Sequence, residues 1–296
     1  MLLARHCRFL FLFTSAVASA SACASGTARI EWIRAEIVPG EGKVNAALFM
    51  PVKLNGMDCR AQLDTGAPGI VHFHQSFDHS AARPVVVEAL GIRHEVEGPP
   101  DLAADQGGCP QGIRLSLGNQ FFEQGTLTID LKREQLSFAM GSTLAADAKA
   151  VPFFYPQWDV NSSGGGHVVI ELGDGQGRKR YAMFDTGAAS FGISALTTES
   201  WRQLTGREPA AGPGVTSYSV SSWGKALPCY RVRSATRFEL GQGQALENAD
   251  VSYCEAPAFK PGQKLAALIG LRNFSNHVIT IDYPARRLRL AAATAE

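Results

Sequence analysis

The sequence predicts an all-β chain folded as two homologous, β-barrel-like lobes with a central cleft between them. Three observations carry that expectation. An alternating apolar segment runs into Asp-Thr-Gly-Ala twice, at residues 59–67 and again at 181–188. Each copy then closes on the same landmarks, a glycine followed shortly by phenylalanine and a Thr-Ile-Asp strand, at residues 118–130 and 270–282. Between these landmarks, short apolar or alternating runs are broken by turn residues such as Asn55-Gly56 and Gly173-Asp174-Gly175, a pattern of hairpins.

Composition agrees. In 296 residues, 45% are hydrophobic and 19% charged, which supports a sizeable core and excludes a disordered or fibrous chain. The formal net charge of +1 gives no basic field of the kind that dominates nucleic-acid binding, so no nucleic-acid partner is expected. The only long apolar stretch is N-terminal, which excludes a multi-spanning membrane protein.

Residues 1–22 read as an export signal: Arg5 and Arg8 precede an apolar run at 9–13, and small residues follow at 18–24. The protein is therefore expected to be exported, either periplasmic or secreted. Ala20-Ser21-Ala22-Cys23 also resembles a bacterial lipobox, with Ala20 where a larger aliphatic residue is usual. A lipid on Cys23 would attach the chain to a membrane.

The first lobe is expected over residues 27–145 and the second over 151–296, with the connection inside 141–156. Past the signal, Cys59, Cys109, Cys229 and Cys254 are an even number in a chain bound for an oxidising compartment, and no CxxC spacing favours zinc. Four cysteines allow three pairings; each half holds two, so Cys59–Cys109 and Cys229–Cys254 are preferred. One helix is expected near residues 198–204, with Thr197 as N-cap and Gly206 at its end. The second copy is longer between its landmarks.

The repeated turn suggests a chemistry. One carboxylate from each lobe, Asp64 and Asp185, brought together at a pseudo-twofold axis, cannot ionise together with its twin, so the pair holds one proton. Such a dyad can take a proton from water and donate one to a carbonyl oxygen. Gly66 and Gly187 let the backbone turn tightly, and the hydroxyls of Thr65 and Thr186 can fix one turn against the other.

On these motifs the chain resembles the aspartic proteases: two lobes in one chain as in the pepsin family, with Asp-Thr-Gly-Ala turns and short lobes closer to the retropepsin-like family and its bacterial relatives. The match is best at residues 51–69, 118–138, 180–194 and 268–290. The resemblance implies an aspartic endopeptidase acting on peptides or proteins, with Asp64 and Asp185 catalytic and Thr65, Gly66, Thr186 and Gly187 supporting them. The glycine landmarks Gly118 and Gly270 would cross behind the active turns. No cofactor is expected, and because His72 and His74 have no acidic or cysteine ligand at clear spacing no metal is expected either; a bilobed single chain needs no partner subunit, so a monomer is expected.

Two features depart from the pepsin pattern. Ala67 and Ala188 stand where a hydroxyl residue usually follows the glycine, which should raise the dyad's titration and move activity to weakly acidic pH. The short first copy offers no evident flap, so a flap is expected in the second lobe over residues 218–227, with Tyr218 and Trp223 as its aromatic residues. The alternative function is non-catalytic binding of a peptide or protein on the same fold. His72, His74 and His79 are expected to flank the cleft, and the glycine runs at 164–166 and 173–177 to form hairpin turns.

Overall fold

The computed structural model describes residues 25–74, 78–100, 102, 109, 114–158, 164–174, 177–222, 225–255 and 265–293. The signal segment, Cys23 and Trp223 lie outside the described residues.

The first lobe is built on the hairpin Lys43–Leu54 with Met57–Leu63. Its Asn55-Gly56 turn has φ of 48° and 84°, the paired left-handed geometry that this dipeptide favours and that matches strand twist. Leu48, Met50, Val52 and Leu54 are all buried, so one face of the strand points into the core. Glu31–Glu36 and Arg83–Ala89 flank the hairpin, and Ile92–Gly98 pairs with Arg83–Ala89.

The second lobe repeats the plan with Val169–Gly173 and Lys179–Phe184, and carries more. Its extra length forms the helix Thr198–Thr205 and the hairpin Thr216–Ser222 with Lys225–Arg233. Thr197 caps the helix: its hydroxyl accepts from the Ser200 amide at 3.0 Å, and the Ser200 hydroxyl accepts from the Thr197 amide at 2.9 Å. Gly206 ends it at φ 68°, while Trp201 and Leu204 bury the inner face.

A third sheet belongs to both lobes. Its order is Ser25–Arg29, Gln135–Met140, Gly125–Asp130, His277–Asp282, Arg287–Ala292 and Val151–Pro152. At its centre the two Thr-Ile-Asp strands pair antiparallel, and Thr128 faces Thr280, its own counterpart. The pseudo-twofold axis therefore runs through the sheet. Leu127, Ile129, Ile279 and Ile281 are fully buried there, so one continuous core joins the lobes.

Both disulfides pair within a lobe, Cys59 with Cys109 and Cys229 with Cys254. The second links residues directly opposite each other on neighbouring strands. Among the described residues no helix is long and apolar enough to cross a membrane. Gly164, Gly165 and Gly166 lie in the connection between Phe154 and Val169, which bridge antiparallel, and they also pack against the first active turn, where a Cβ on Gly165 would lie 1.9 Å from the Pro68 carbonyl oxygen.

Candidate active site

Each active turn follows directly from a strand whose last residues are largely buried, Met57–Leu63 before Asp64 and Lys179–Phe184 before Asp185. A parallel neighbour fixes each strand end: the amide of Asp64 donates to Leu117 at 3.0 Å, and that of Asp185 to Ile269 at 2.9 Å. The glycines after those neighbours cross behind the turns at backbone contact. A Cβ on Gly118 would stand 2.3 Å from the Gly69 carbonyl oxygen, and one on Gly270 2.1 Å from that of Ala188. Only glycine fits either crossing.

The two turns interlock through their threonines. The Thr65 amide donates to the Thr186 hydroxyl at 3.0 Å, and the Thr186 amide donates to the Thr65 hydroxyl at 2.9 Å. Each hydroxyl then donates onward across the interface, Thr65 to the Phe184 carbonyl at 2.9 Å and Thr186 to the Leu63 carbonyl at 2.8 Å. Both threonines are buried, so every member of this square is paired away from water.

The interlock sets the carboxyl groups face to face. Gly66 donates its amide to Asp64 Oδ1 at 3.0 Å and Gly187 donates to Asp185 Oδ1 at 2.8 Å. A Cβ on Gly66 would lie 2.6 Å from Asp185 Oδ1, and one on Gly187 2.5 Å from Asp64 Oδ1. Each glycine thus leaves room for the opposite carboxylate, and the two side chains hydrogen-bond to each other. Gln62 adds a cross-lobe contact to the Gly187 carbonyl.

The two acids differ in environment. Asp185 is only 8% exposed; burial, then the neighbouring Asp64 charge, pushes its carboxyl up to about 7 against the opposing pull of the Gly187 and Ala188 amides. Asp64 is also raised by burial, but the Gly66 amide, Asp185, His74 and His72 all ease its ionisation. The pair is therefore asymmetric, with Asp64 the readier anion. The Ala188 amide partly replaces the hydroxyl that the Ala67 and Ala188 positions lack.

His72 and His74 lie on Val71–Phe73 and just beyond it, with ring centroids 5.6 Å apart, and His74 Nε2 is 2.7 Å from the Ser116 hydroxyl. Burial and the His72 charge lower the His74 titration. The side chain of His79 lies outside the described residues. Among the described residues no three His, Cys, Asp or Glu side chains are grouped to hold a metal ion. Tyr218 is buried in a small cluster with Val38 and Cys229, well back from the tip of its hairpin. Glu41 pairs with Arg231 beside it.

Three residues at the first turn escape sequence reasoning. Asn119 is fully buried and donates Nδ2 to the Thr65 carbonyl at 2.7 Å and to the Gly166 carbonyl at 2.9 Å. Its Oδ1 accepts from the Tyr283 hydroxyl at 2.8 Å. His167 hydrogen-bonds the backbone of Gly66, stacks on Trp158 with centroids 4.8 Å apart, and is lowered in titration by burial. The signal for the first two is a mismatch between copies: Asn119 follows its glycine where Leu271 follows the other, and Tyr283 follows Thr-Ile-Asp where Leu131 does.

No protein-family model matches the chain, and no curated protein matches it in sequence. Among solved structures, it is similar to the crystal structure of an aspartic proteinase from Irpex lacteus, with 11% identity over 92% of this chain and 98% of that one and a TM-score of 0.44.

Proposed function

We propose that the chain is an exported aspartic endopeptidase of the retropepsin-like and pepsin-like kind, acting as a monomer on peptides or proteins. The observation that carries this reading is the facing pair Asp64 and Asp185, held in place by the threonine interlock and unequal in burial. Asp64, the readier anion, takes a proton from a water lying between the carboxyl groups. Asp185, kept protonated by burial, donates to the scissile carbonyl oxygen as the water oxygen bonds to carbon. The tetrahedral intermediate collapses when Asp64 returns its proton to the amide nitrogen, which leaves as an amine while Asp185 recovers its proton from the intermediate's hydroxyl. No covalent enzyme intermediate is needed. The disulfides suit an oxidising compartment and so support export, with the signal at 1–22 and a lipid on Cys23 as its two separable parts.

The test is incubation of the folded protein with a peptide mixture from about pH 3 to 8, a span that brackets carboxylate titration, with new termini read by mass spectrometry. Cleavage within the chains of the peptides is expected; none at any pH contradicts the proposal. A second reading, peptide binding without cleavage, is favoured by one observation. The first-lobe hairpin turns its Leu90-Gly91 tip onto Ser25 and Gly26 of the shared sheet, so it does not cover a substrate. Retention of intact peptides would select that reading.

A further inference from the structure

The axis that relates the two active turns also relates two seams, where each lobe packs against the other's turn, and the seams differ. The seam at the first turn is solid. Gly165 lies against the Pro68 carbonyl, and a Cβ on Gly164 would meet Gln120 at 2.6 Å. Asn119 ties the Thr65 and Gly166 carbonyls to the Tyr283 hydroxyl, and the Tyr155 ring stands 6.0 Å from that of Tyr283 at 78°.

The seam at the second turn is hollow. Phe49 pairs with Gln62 as Val169 pairs with Met183, each two residues before its aspartate, so Val44 and Asn45 correspond to Gly164 and Gly165. By the same pairing Trp32, opposite Leu48, takes the place of Tyr155, whose neighbour Phe154 bridges to Val169. At the closing landmarks Leu271 replaces Asn119 and Leu131 replaces Tyr283. Of these exchanges only tyrosine to Leu131 removes bulk, and a cavity of about 280 Å³ bounded by both lobes lies here, with Ala189 and Ser190 of the second active turn in its wall.

We propose that this cavity binds a small molecule built on one aromatic ring. An apolar cavity of about 150 Å³ already holds a benzene ring, whereas drug-sized ligands occupy pockets of about 300 Å³ and upward. Trp32, Val44, Leu131 and Leu271 supply apolar walls, and in the mate seam one more ring, that of Tyr283, stands where Leu131 stands here. Asn45, Ser190 and Ser275 at the wall can bond one polar substituent. Arg272 is committed to Asp250 at 2.8 Å and lies 3.8 Å from Glu41, so the cavity does not select an anion. A bound ring would touch both lobes beside the Asp185 turn. The inference does not depend on proteolysis.

The probe is p-cresol, titrated into the folded protein with tryptophan fluorescence as the readout. Saturable quenching is expected, absent in Trp32→Phe and unchanged in Asp64→Asn with Asp185→Asn. Refilling the cavity with Leu131→Tyr and Leu271→Asn, as in the mate seam, should weaken the probe about tenfold or more. If that variant does not fold, Val44→Phe, a larger side chain at a wall residue outside the active turn, is read in its place with the same expectation. Quenching that never saturates, that persists with undiminished affinity in the filled variant, or that disappears with the dyad substitutions overturns the proposal.

Discussion

The hydroxyls of Thr65 and Thr186 each accept the other's backbone amide and each donate to a carbonyl of the opposite strand end. The exchange is symmetric about the axis, so it fixes the distance and the tilt of one active turn relative to the other. Thr186→Val keeps the shape but leaves the Thr65 amide and the Leu63 carbonyl unpaired in a dry site. Unfolding in urea should show a loss of about 3 kcal/mol. Peptide turnover should fall more than tenfold through misplacement of the carboxyl groups, and Thr186→Ser should recover most of both. A stability change below about 1 kcal/mol, the value of an ordinary paired bond, contradicts this account.

The unequal acids predict the pH profile of peptide cleavage. The working state holds one proton on the pair. It is lost on the alkaline side as Asp185 gives up its proton near pH 7, and on the acid side as Asp64, raised above 3.8, becomes protonated. Activity should therefore peak at weakly acidic pH. A rate still climbing below about pH 3, under the range of an ordinary carboxylate, is the contrary result.

The same burial predicts how stability depends on pH. The Asp185 carboxyl titrates higher in the folded chain than in the unfolded one, so the folded state binds the extra proton between the two values. The contribution of this proton to stability is full below about pH 4 and is lost as pH rises toward 7. Asp185→Asn removes that decline. Relative to wild type, the variant should be more stable at pH 8 than at pH 3 by about 2–4 kcal/mol, taking each pKa unit as about 1.4 kcal/mol. Equal differences at both pH values in urea titrations would refute the burial argument.

Asn119 anchors the first turn alone, since its counterpart is Leu271. Asn119→Leu leaves the Thr65 and Gly166 carbonyls and the Tyr283 hydroxyl without their partner, and should cost about 3 kcal/mol or more. Adding Tyr283→Leu, which copies Leu131, removes one orphan at once. The double variant should lose less than the two single variants together, a coupling of at least about 0.5 kcal/mol. Additive losses would show that the pair acts independently.

Much of this arrangement can be read in the residues. The repeat exposes Asp64, Asp185 and their threonines because the same turn serves both lobes, and the helix at Thr198 declares itself through Thr197 and Gly206. Cysteine pairing follows from two residues per half. The seam does not declare itself. Gly164 and Gly165 read only as turn glycines until Pro68 and Gln120, far away in the chain, are seen to leave them no space for a side chain. Asn119 and Tyr283 look ordinary because their bond joins positions 164 residues apart. Tyr218 suits an aromatic flap by position, and only Val38 from the other lobe shows why its ring is buried. In each case the missing information is a long-range contact, which local pattern cannot carry.

The central claim is that Asp64 and Asp185 act as one unit on the peptide bond. Its most direct test compares wild type, Asp64→Asn and Asp185→Asn on one peptide mixture near pH 5, with circular dichroism to establish that all three are folded. The account predicts internal cleavage by wild type and loss of at least about a thousandfold in each variant, since members of one catalytic unit fail together. Cleavage that survives in either folded variant contradicts it.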